Sequence, residues 1–292
     1  MTDVPPLSPW KWLEQGGMPT KGRGDAKLKP LQRLRPMPPM IKEVHVPAWD
    51  WKSPHFDRTA KTIELDRTAS WPSAASSTFV AFGALKQTGP IPFDQKRAGY
   101  WLVDFTGTDD QEGHRDRWAR KDIIMSPLGT GRPRLKAWLC HPTARLLDDL
   151  AEAGEFAPLR ILDSWTSTET VRLSKWSEGI RNHIDALKDA HLDERLAEFK
   201  DDYAATIQML LSGEGFAYRR PDWYHAILTQ HARNAWWDLY GTAKLGHGPV
   251  ACHEVDAALY LPEDYDALTM HPENTLKIDL TGRKFGTWKI KV

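Results

Sequence analysis

The stretch Lys61–Ser73, with the sequence KTIELDRTASWPS, carries the clearest structural signal in the chain. Apolar and acidic residues alternate in its first half, so that Ile63 and Leu65 share one face while Glu64 and Asp66 share the other. This alternation predicts a half-buried β-strand that ends on the carboxylate of Asp66.

A second acidic strand end lies far along the chain. The segments Val250–His253 and Ala257–Leu261 predict two paired strands, and Glu254 and Asp256 lie in the connection between them. An Asp at a strand end is most often a turn residue, so neither acid is specific by itself. Taken as a pair, carboxylates on adjacent rigid strands are suited to holding two divalent cations for phosphoryl transfer.

The segments between and around these acids set the fold class. Three helices are predicted, at about Val171–Lys188, Leu192–Leu211 and Pro221–Tyr240. Further strands are predicted at Gly99–Phe105 and Leu159–Leu162, with a helix opening at Pro142 and a last strand pair over 275–291 that turns at Gly282. Strands followed by helices and then by strands predict an α+β fold.

Composition excludes some classes of protein and leaves others open. The 292 residues carry no net charge, so the whole-chain electrostatics neither favour nor exclude a nucleic-acid partner. Cys140 and Cys252 are too few for a disulfide framework, which indicates a reducing compartment. The N-terminus has no apolar run, and no stretch reaches the roughly 20 apolar residues that cross a bilayer. We therefore expect a cytoplasmic protein without a membrane partner.

Three segments resemble the palm motifs of family B DNA polymerases. Asp66–Ser73 is similar to the first motif, Asp-x-x-Ser-Leu-Tyr-Pro-Ser, because the Asp, an aromatic residue, Pro and Ser keep their spacing. His253–Ala257 is similar to the third motif, x-Asp-Thr-Asp-Ser, with Glu254 at the first acid and Ala257 at the final Ser. Between them, Trp223–Arg233 resembles the Ile-Thr-x-x-x-Arg helix of the family.

Smaller likenesses in the same order point to the protein-primed, phage-type branch. They lie at Gly83–Phe93, Ala137–Leu139 and Phe285–Lys289, so the resemblance covers roughly residues 60–290. It implies a polymerase-like palm with an antiparallel sheet over 43–292 and a helical, fingers-like insertion at about 171–242. Residues 1–42, rich in Pro, Gly and basic side chains, are expected to form a flexible segment.

The resemblance also implies roles for individual residues. Asp66 and Asp256 would be the catalytic residues and would bind Mg²⁺ or Mn²⁺, with Glu254 as a further metal ligand. Trp71 stands where the family has a Tyr beneath the sugar of the incoming nucleotide, where a large ring excludes a 2′-hydroxyl. A core Trp is an equally good interpretation of Trp71.

Further residues would contact the nucleotide or the DNA. Ser70 lies in the segment expected near the triphosphate, and Arg181 resembles a phosphate-binding cation of the phage enzymes. Lys200 would replace the lysine of the family's helical motif, because alignment on the motif's glycine places an alanine there. Arg233 and Lys289 are the predicted DNA-binding residues. Each of these cations is also explained as a solvated surface charge.

Together, these motifs imply a reduced DNA polymerase-like nucleotidyltransferase that adds deoxynucleotides in the replication of a phage, plasmid or mobile element. Its partners would be DNA, dNTPs and a priming, terminal or processivity protein. No exonuclease domain is expected before Asp66 and no thumb after Val292. These features, with the Glu254 exchange, favour an alternative: a catalytically inactive, palm-derived DNA-binding or replication accessory protein. An unrelated α+β protein with coincidental motifs is a third interpretation.

Overall fold

The structure is a computed structural model that describes residues 4–9, 34–106, 125–129, 135–212, 220–253, 255–273, 276–281 and 283–291. Within those ranges the α-helices are α1 (Ser70–Ser77), α2 (His141–Glu152), α3 (Ser174–Asp189), α4 (Asp193–Ser212), α5 (Pro221–Lys244) and α6 (Pro262–Met270). A short 3₁₀-helix covers Pro39–Lys42. No helix of the described part is long and apolar enough to cross a membrane.

One five-stranded antiparallel sheet carries the predicted catalytic acids, and we call it the acid sheet. Its strands are β2 (Asp50–Lys52), β3 (Ile63–Arg67), β10 (Ala251–His253), β11 (Ala257–Tyr260) and β12 (Trp288–Ile290). Their spatial order is β12-β3-β11-β10-β2, so strands distant in sequence flank β3 on both sides. Leu65, Tyr260 and Trp288 are fully buried in the core beneath the sheet.

A second five-stranded sheet, which we call the scaffold sheet, has the spatial order β1-β7-β6-β8-β5. It consists of β1 (Val44–His45), β5 (Lys86–Gln87), β6 (Ala98–Asp104), β7 (Lys136–Cys140) and β8 (Arg160–Ser167). All its pairings are antiparallel except that of β1 with β7. Two further strands, β4 (Phe79–Ala81) and β9 (Thr170–Arg172), form a separate antiparallel ribbon.

Helix α5 connects the two parts of the core. In its first half, Trp223 and Ile227 belong to the apolar cluster that also contains residues of α1, α3 and α4. In its second half, Trp236 and Leu239 pack beneath the acid sheet. A single 24-residue helix therefore fixes the acid sheet relative to the helical layer.

The predicted α+β class, with an antiparallel sheet and helices inserted between its strands, is confirmed. Two local predictions were wrong. Residue Val171 lies in β9 opposite Val80, and α3 begins only at Ser174. The described residues of the range 275–291, where a strand pair was expected, contain one strand, β12, which pairs with β3, while Ile278 makes an isolated bridge to Trp288. Gly282 lies outside the described residues.

Part of the N-terminal segment packs against the helical layer. Val4 and Leu34 are buried in the cluster that contains α3 and α4, and the indole of Trp176 donates a hydrogen bond to the Pro9 carbonyl at 3.1 Å. The expected boundary between residues 42 and 43 stays a prediction.

Candidate active site

Asp66 and Asp256 lie at neighbouring positions on adjacent strands. Asp66 on β3 stands opposite Ala257 on β11, and Asp256 immediately precedes Ala257. The backbone N–H of Arg67 donates to the carbonyl oxygen of Asp256 at 3.0 Å, which extends the ladder by one position. Strand register therefore brings the backbones of the two sequence-predicted acids to neighbouring positions, although 190 positions separate them in the chain.

Asp66 lies on the face of the sheet that carries charged side chains. Its Oδ2 is 3.3 Å from Nζ of Lys289, which stands opposite it on β12. Both side chains are about one-third exposed, at 32% and 39%. A partly exposed ion pair of this kind is weak in water, so the carboxylate remains available to a competing cation.

Asp256 has a more enclosed environment. Its Oδ2 accepts a hydrogen bond of 2.9 Å from the hydroxyl of Ser70 and lies 3.5 Å from Nε2 of His231. The position of Ser70 follows from Ala69, whose left-handed backbone (φ 46°) turns the chain from the end of β3 into α1. Ser70, predicted to lie near the nucleotide, thus contacts the carboxylate of Asp256.

Trp71 and His231 form a ring pair beside this carboxylate. Their ring centroids are 5.4 Å apart. Burial, and secondarily the charge of Arg67, lowers the pKa of His231 to about 3, so the imidazole is neutral near pH 7. Neither of its ring nitrogens has a hydrogen-bond partner among the described residues. Sequence patterns do not indicate His231 as a site residue; it is one of the buried residues of α5.

A buried ion pair supports the end of β3. Nη2 of Arg67 lies 3.3 Å from Oδ2 of Asp238, and that carboxylate also accepts a 3.0 Å hydrogen bond from the indole of Trp288. Burial lowers the pKa of Arg67 and raises that of Asp238, and the attraction between the two charges opposes both shifts. Because an arginine remains protonated in proteins, its charge also acts on Asp256.

The fold of the chain is similar to that of solved structures. It is similar to Phi29 DNA polymerase complexed with single-stranded DNA, at 10% sequence identity and a TM-score of 0.54, over 86% of this chain and 46% of that chain. It is also similar to Phi29 DNA polymerase complexed with primer-template DNA and incoming nucleotide substrates, at 12% identity and a TM-score of 0.54, over 89% of this chain and 49% of that chain. The chain has a DNA polymerase-like fold.

Because the sequence identities are low, these similarities support the fold alone. The chain spans about half the length of the solved structures that it matches. No protein-family model matches the sequence, and no curated protein matches it either.

In this polymerase-like fold, helix α4 brings a tyrosine into electrostatic reach of both acids. Tyr203 is 7% exposed. Burial raises its pKa to about 12, and Asp201, Asp256 and Asp66 add to the rise. Tyr203 lies on the buried face of α4 with Phe199 and Ile207, and helical spacing alone gives no sign of its proximity to the acids. Lys200 is exposed on the same helix.

The remaining predicted residues lie around or away from this centre. Arg181 is exposed on α3, with its guanidinium carbon 5.3 Å from the ring centroid of Phe285. Arg233 is largely buried and pairs with Asp149 on α2 at 2.6 Å, so its charge is directed towards that helix and not towards the acids. Its predicted contact with DNA stays a prediction. Glu254 lies outside the described residues.

The chemistry of the donor set fits a hard divalent cation. Asp66 and Asp256 offer carboxylate oxygens, and their side chains are 32% and 22% exposed. Mg²⁺ commonly binds one or two carboxylates while keeping several waters, so partly open carboxylates suit it. The described residues contain no group of three or more His, Cys, Asp or Glu side chains arranged as metal ligands.

Proposed function

We propose that this chain is a metal-dependent DNA polymerase-like nucleotidyltransferase, which adds deoxynucleotides to a DNA primer in the replication of a phage, plasmid or mobile element. The observation that carries the proposal is that Asp66 on β3 and Asp256, directly before the neighbouring strand β11, occupy adjacent backbone positions in a polymerase-like fold. The two Phi29 DNA polymerase complexes hold DNA, and one of them also holds nucleotide substrates, which supports DNA and dNTPs as ligands here.

In the proposed reaction, the primer 3′-hydroxyl attacks the α-phosphorus of a nucleotide and pyrophosphate leaves. Asp66 and Asp256 would hold Mg²⁺ or Mn²⁺, whose chemistry is to lower the pKa of the attacking hydroxyl and neutralise the charge on the phosphates. Ser70 keeps Asp256 oriented through its 2.9 Å hydrogen bond. A fixed carboxylate loses little freedom when it binds a cation, which favours binding.

Other side chains would bind and select the nucleotide. Trp71 is held against His231, and a bulky ring in that position would exclude the 2′-hydroxyl of a ribonucleotide. Lys289, next to Asp66, would exchange its carboxylate partner for a phosphate when a cation occupies the acids. Arg181 and Lys200 are exposed cations that would contact the phosphates. A priming, terminal or processivity protein is proposed as a further partner.

Primer extension tests the proposal. Purified protein is incubated with primed DNA, all four dNTPs and Mg²⁺ or Mn²⁺, beside Asp256→Asn and Asp66→Asn. We expect incorporation by the parent protein and a loss of about a hundredfold or more in either variant, because a neutral amide binds the cations poorly. Glu64→Gln is the matched control, since it removes a carboxylate from the same strand and face, where Lys291 is its partner.

Each outcome separates the candidate functions. Equal activity of the parent and both Asp variants would show that the incorporation does not come from this site. No incorporation under any condition, with retained binding to primed DNA, would support the inactive accessory protein instead. Thermal unfolding of each variant establishes that a lost activity does not reflect a lost fold.

A further inference from the structure

A cleft of about 450 Å³ lies between helix α3 and the loop that precedes β12. We call it the basic cleft. Its lining consists of Arg181, Asp185, Asp189, Arg283, Lys284 and Phe285. Arg181, Asp185 and Asp189 follow one another at four-residue spacing, so they share one face of α3.

The loop side of the basic cleft is fixed by its own hydrogen bonds. The carboxylate of Asp279 accepts the backbone N–H groups of Arg283 at 2.8 Å and Lys284 at 2.7 Å. These bonds lower the pKa of Asp279, the one from Lys284 most strongly. The backbone N–H of Gly286 donates to the carbonyl of Thr68 at 2.8 Å, which ties the loop to the segment after Asp66. The backbone that carries Arg283 and Lys284 is therefore held in place before a ligand binds.

The charges in the basic cleft are unequal. Three cations face two carboxylates, which leaves one net positive charge. One of the carboxylates, Asp189, pairs with Arg283 at 2.8 Å, but the two side chains are 65% and 52% exposed. An ion pair this exposed contributes little to stability, so an entering anion can displace Asp189 from Arg283.

The basic cleft also lies next to the cations of the acid sheet. Burial lowers the pKa of Lys188 on α3, and the positive charges of Lys200, Arg283 and Lys289 lower it further, against the opposing charge of Asp185. Lys289 is the residue that pairs with Asp66. Lys188 is therefore within electrostatic reach both of Arg283 in the basic cleft and of Lys289 on the acid sheet.

The aromatic residue of the cleft is already covered. The guanidinium carbon of Arg181 lies 5.3 Å from the ring centroid of Phe285, so that ring face is occupied by a cation. Single-stranded nucleic acid is bound largely by stacking of bases on open aromatic faces. The basic cleft consequently suits a phosphate chain better than stacked bases.

We propose that the basic cleft binds polyphosphate. The ligand is either the triphosphate of a nucleotide moving towards Asp66 and Asp256 or the pyrophosphate moving away from them. The identity of the polyphosphate rests on the proposed function, whereas binding to the cleft requires no turnover. The phosphates are contacted by Arg181, Arg283 and Lys284. The carboxylates of Asp185 and Asp189 weaken this contact, so that the polyphosphate is held only transiently.

Calorimetric titration with tripolyphosphate, pyrophosphate and dATP, without divalent cations, tests this site. We expect Lys284→Gln and Arg181→Gln each to weaken binding of tripolyphosphate about three- to tenfold, since each removes one charge contact. Asp189→Asn is expected to strengthen binding about two- to fivefold, because it frees Arg283 from its ion pair. Arg172→Gln is the matched control, as Arg172 also lies over a phenylalanine, Phe79, but does not line the cleft.

Weaker binding in Lys284→Gln together with stronger binding in Asp189→Asn would identify the basic cleft as the binding site. If the affinities for both dATP and pyrophosphate change in this way among the variants, the cleft binds both the nucleotide and the product. If only one of the two affinities changes in this way, the cleft binds that ligand. Affinity unchanged in all the variants would overturn the proposal. So would a pattern seen with oligothymidylate but not with tripolyphosphate. Failure of primer extension beside intact tripolyphosphate binding would count against the proposed function alone.

Discussion

The acid sheet and the scaffold sheet have the same number of strands but use their side chains differently. In the scaffold sheet, β6 and β8 run for seven and eight residues, and Tyr100, Trp101 and Leu139 are fully buried. In the acid sheet the strands have three to five residues. Its charged face carries the pairs Asp66–Lys289 and Glu64–Lys291, which are open to solvent. Long paired strands provide stability, whereas short strands with exposed charges leave groups available for a ligand.

A change at Gly99 should have the largest effect on stability. Gly99 on β6 has a φ of 150°, and a Cβ there would collide with the carbonyl oxygen of Trp165 on the neighbouring strand. We expect Gly99→Ala to lower the free energy of unfolding by about 3 to 5 kcal/mol in a urea titration, because both strain and overlap arise in a paired strand. In Gly83→Ala, where the nearest atom is 3.9 Å away, we expect little change. Similar stabilities for the two variants would contradict the close approach of the Gly99 backbone to Trp165 in the scaffold sheet.

His141 gives a smaller, pH-dependent test of the scaffold. It lies among Phe79, Phe93 and Trp101, and burial lowers its pKa to about 4. The unfolded chain binds a proton at this histidine below about pH 6.5, so the folded state loses roughly 1.4 kcal/mol per pH unit from there down to its own pKa.

In His141→Phe this contribution is absent. The free energy of unfolding of the variant should fall about 2 kcal/mol less than that of the parent between pH 7 and pH 5. The other buried histidines, His225 and His231, keep their share of the dependence, since burial lowers their pKa values as well. Denaturant titrations at both pH values measure the difference. Parallel curves would contradict the buried, neutral state of His141.

Lys289 of β12 and Lys291, which directly follows that strand, provide the smallest expected change in stability. Lys289 and Lys291 both pair with carboxylates of β3, at 3.3 Å and 2.8 Å, and both are partly exposed. We expect Lys289→Gln and Lys291→Gln each to change the free energy of unfolding by less than about 1 kcal/mol. On the proposed function, only Lys289→Gln should reduce primer extension, by about three- to tenfold, because only Lys289 adjoins a catalytic acid. Equal activities of the two variants would argue against a role for Lys289.

Local periodicity made much of the fold predictable. Alternation along β3 and helical spacing along α4 and α5 are written in consecutive residues, so these elements were predicted within a few positions of their observed ends. Helix α1 was not predicted, because it is short, contains Pro72 and has little amphipathic pattern. The partner of β12 was predicted wrongly, since pairing with β3 depends on a contact between residues far apart in the chain.

The sequence by itself determined the acids at two strand ends, the α+β class and the order of the motifs, because each of these is encoded in short runs of residues. Only the tertiary structure decided that Asp66 faces Lys289, that Asp256 contacts Ser70 and lies near His231, and that Tyr203 lies within reach of both acids. It also joined Arg181 to the 283–285 loop in one cleft. These neighbours come from strand register and helix packing, which no local pattern specifies.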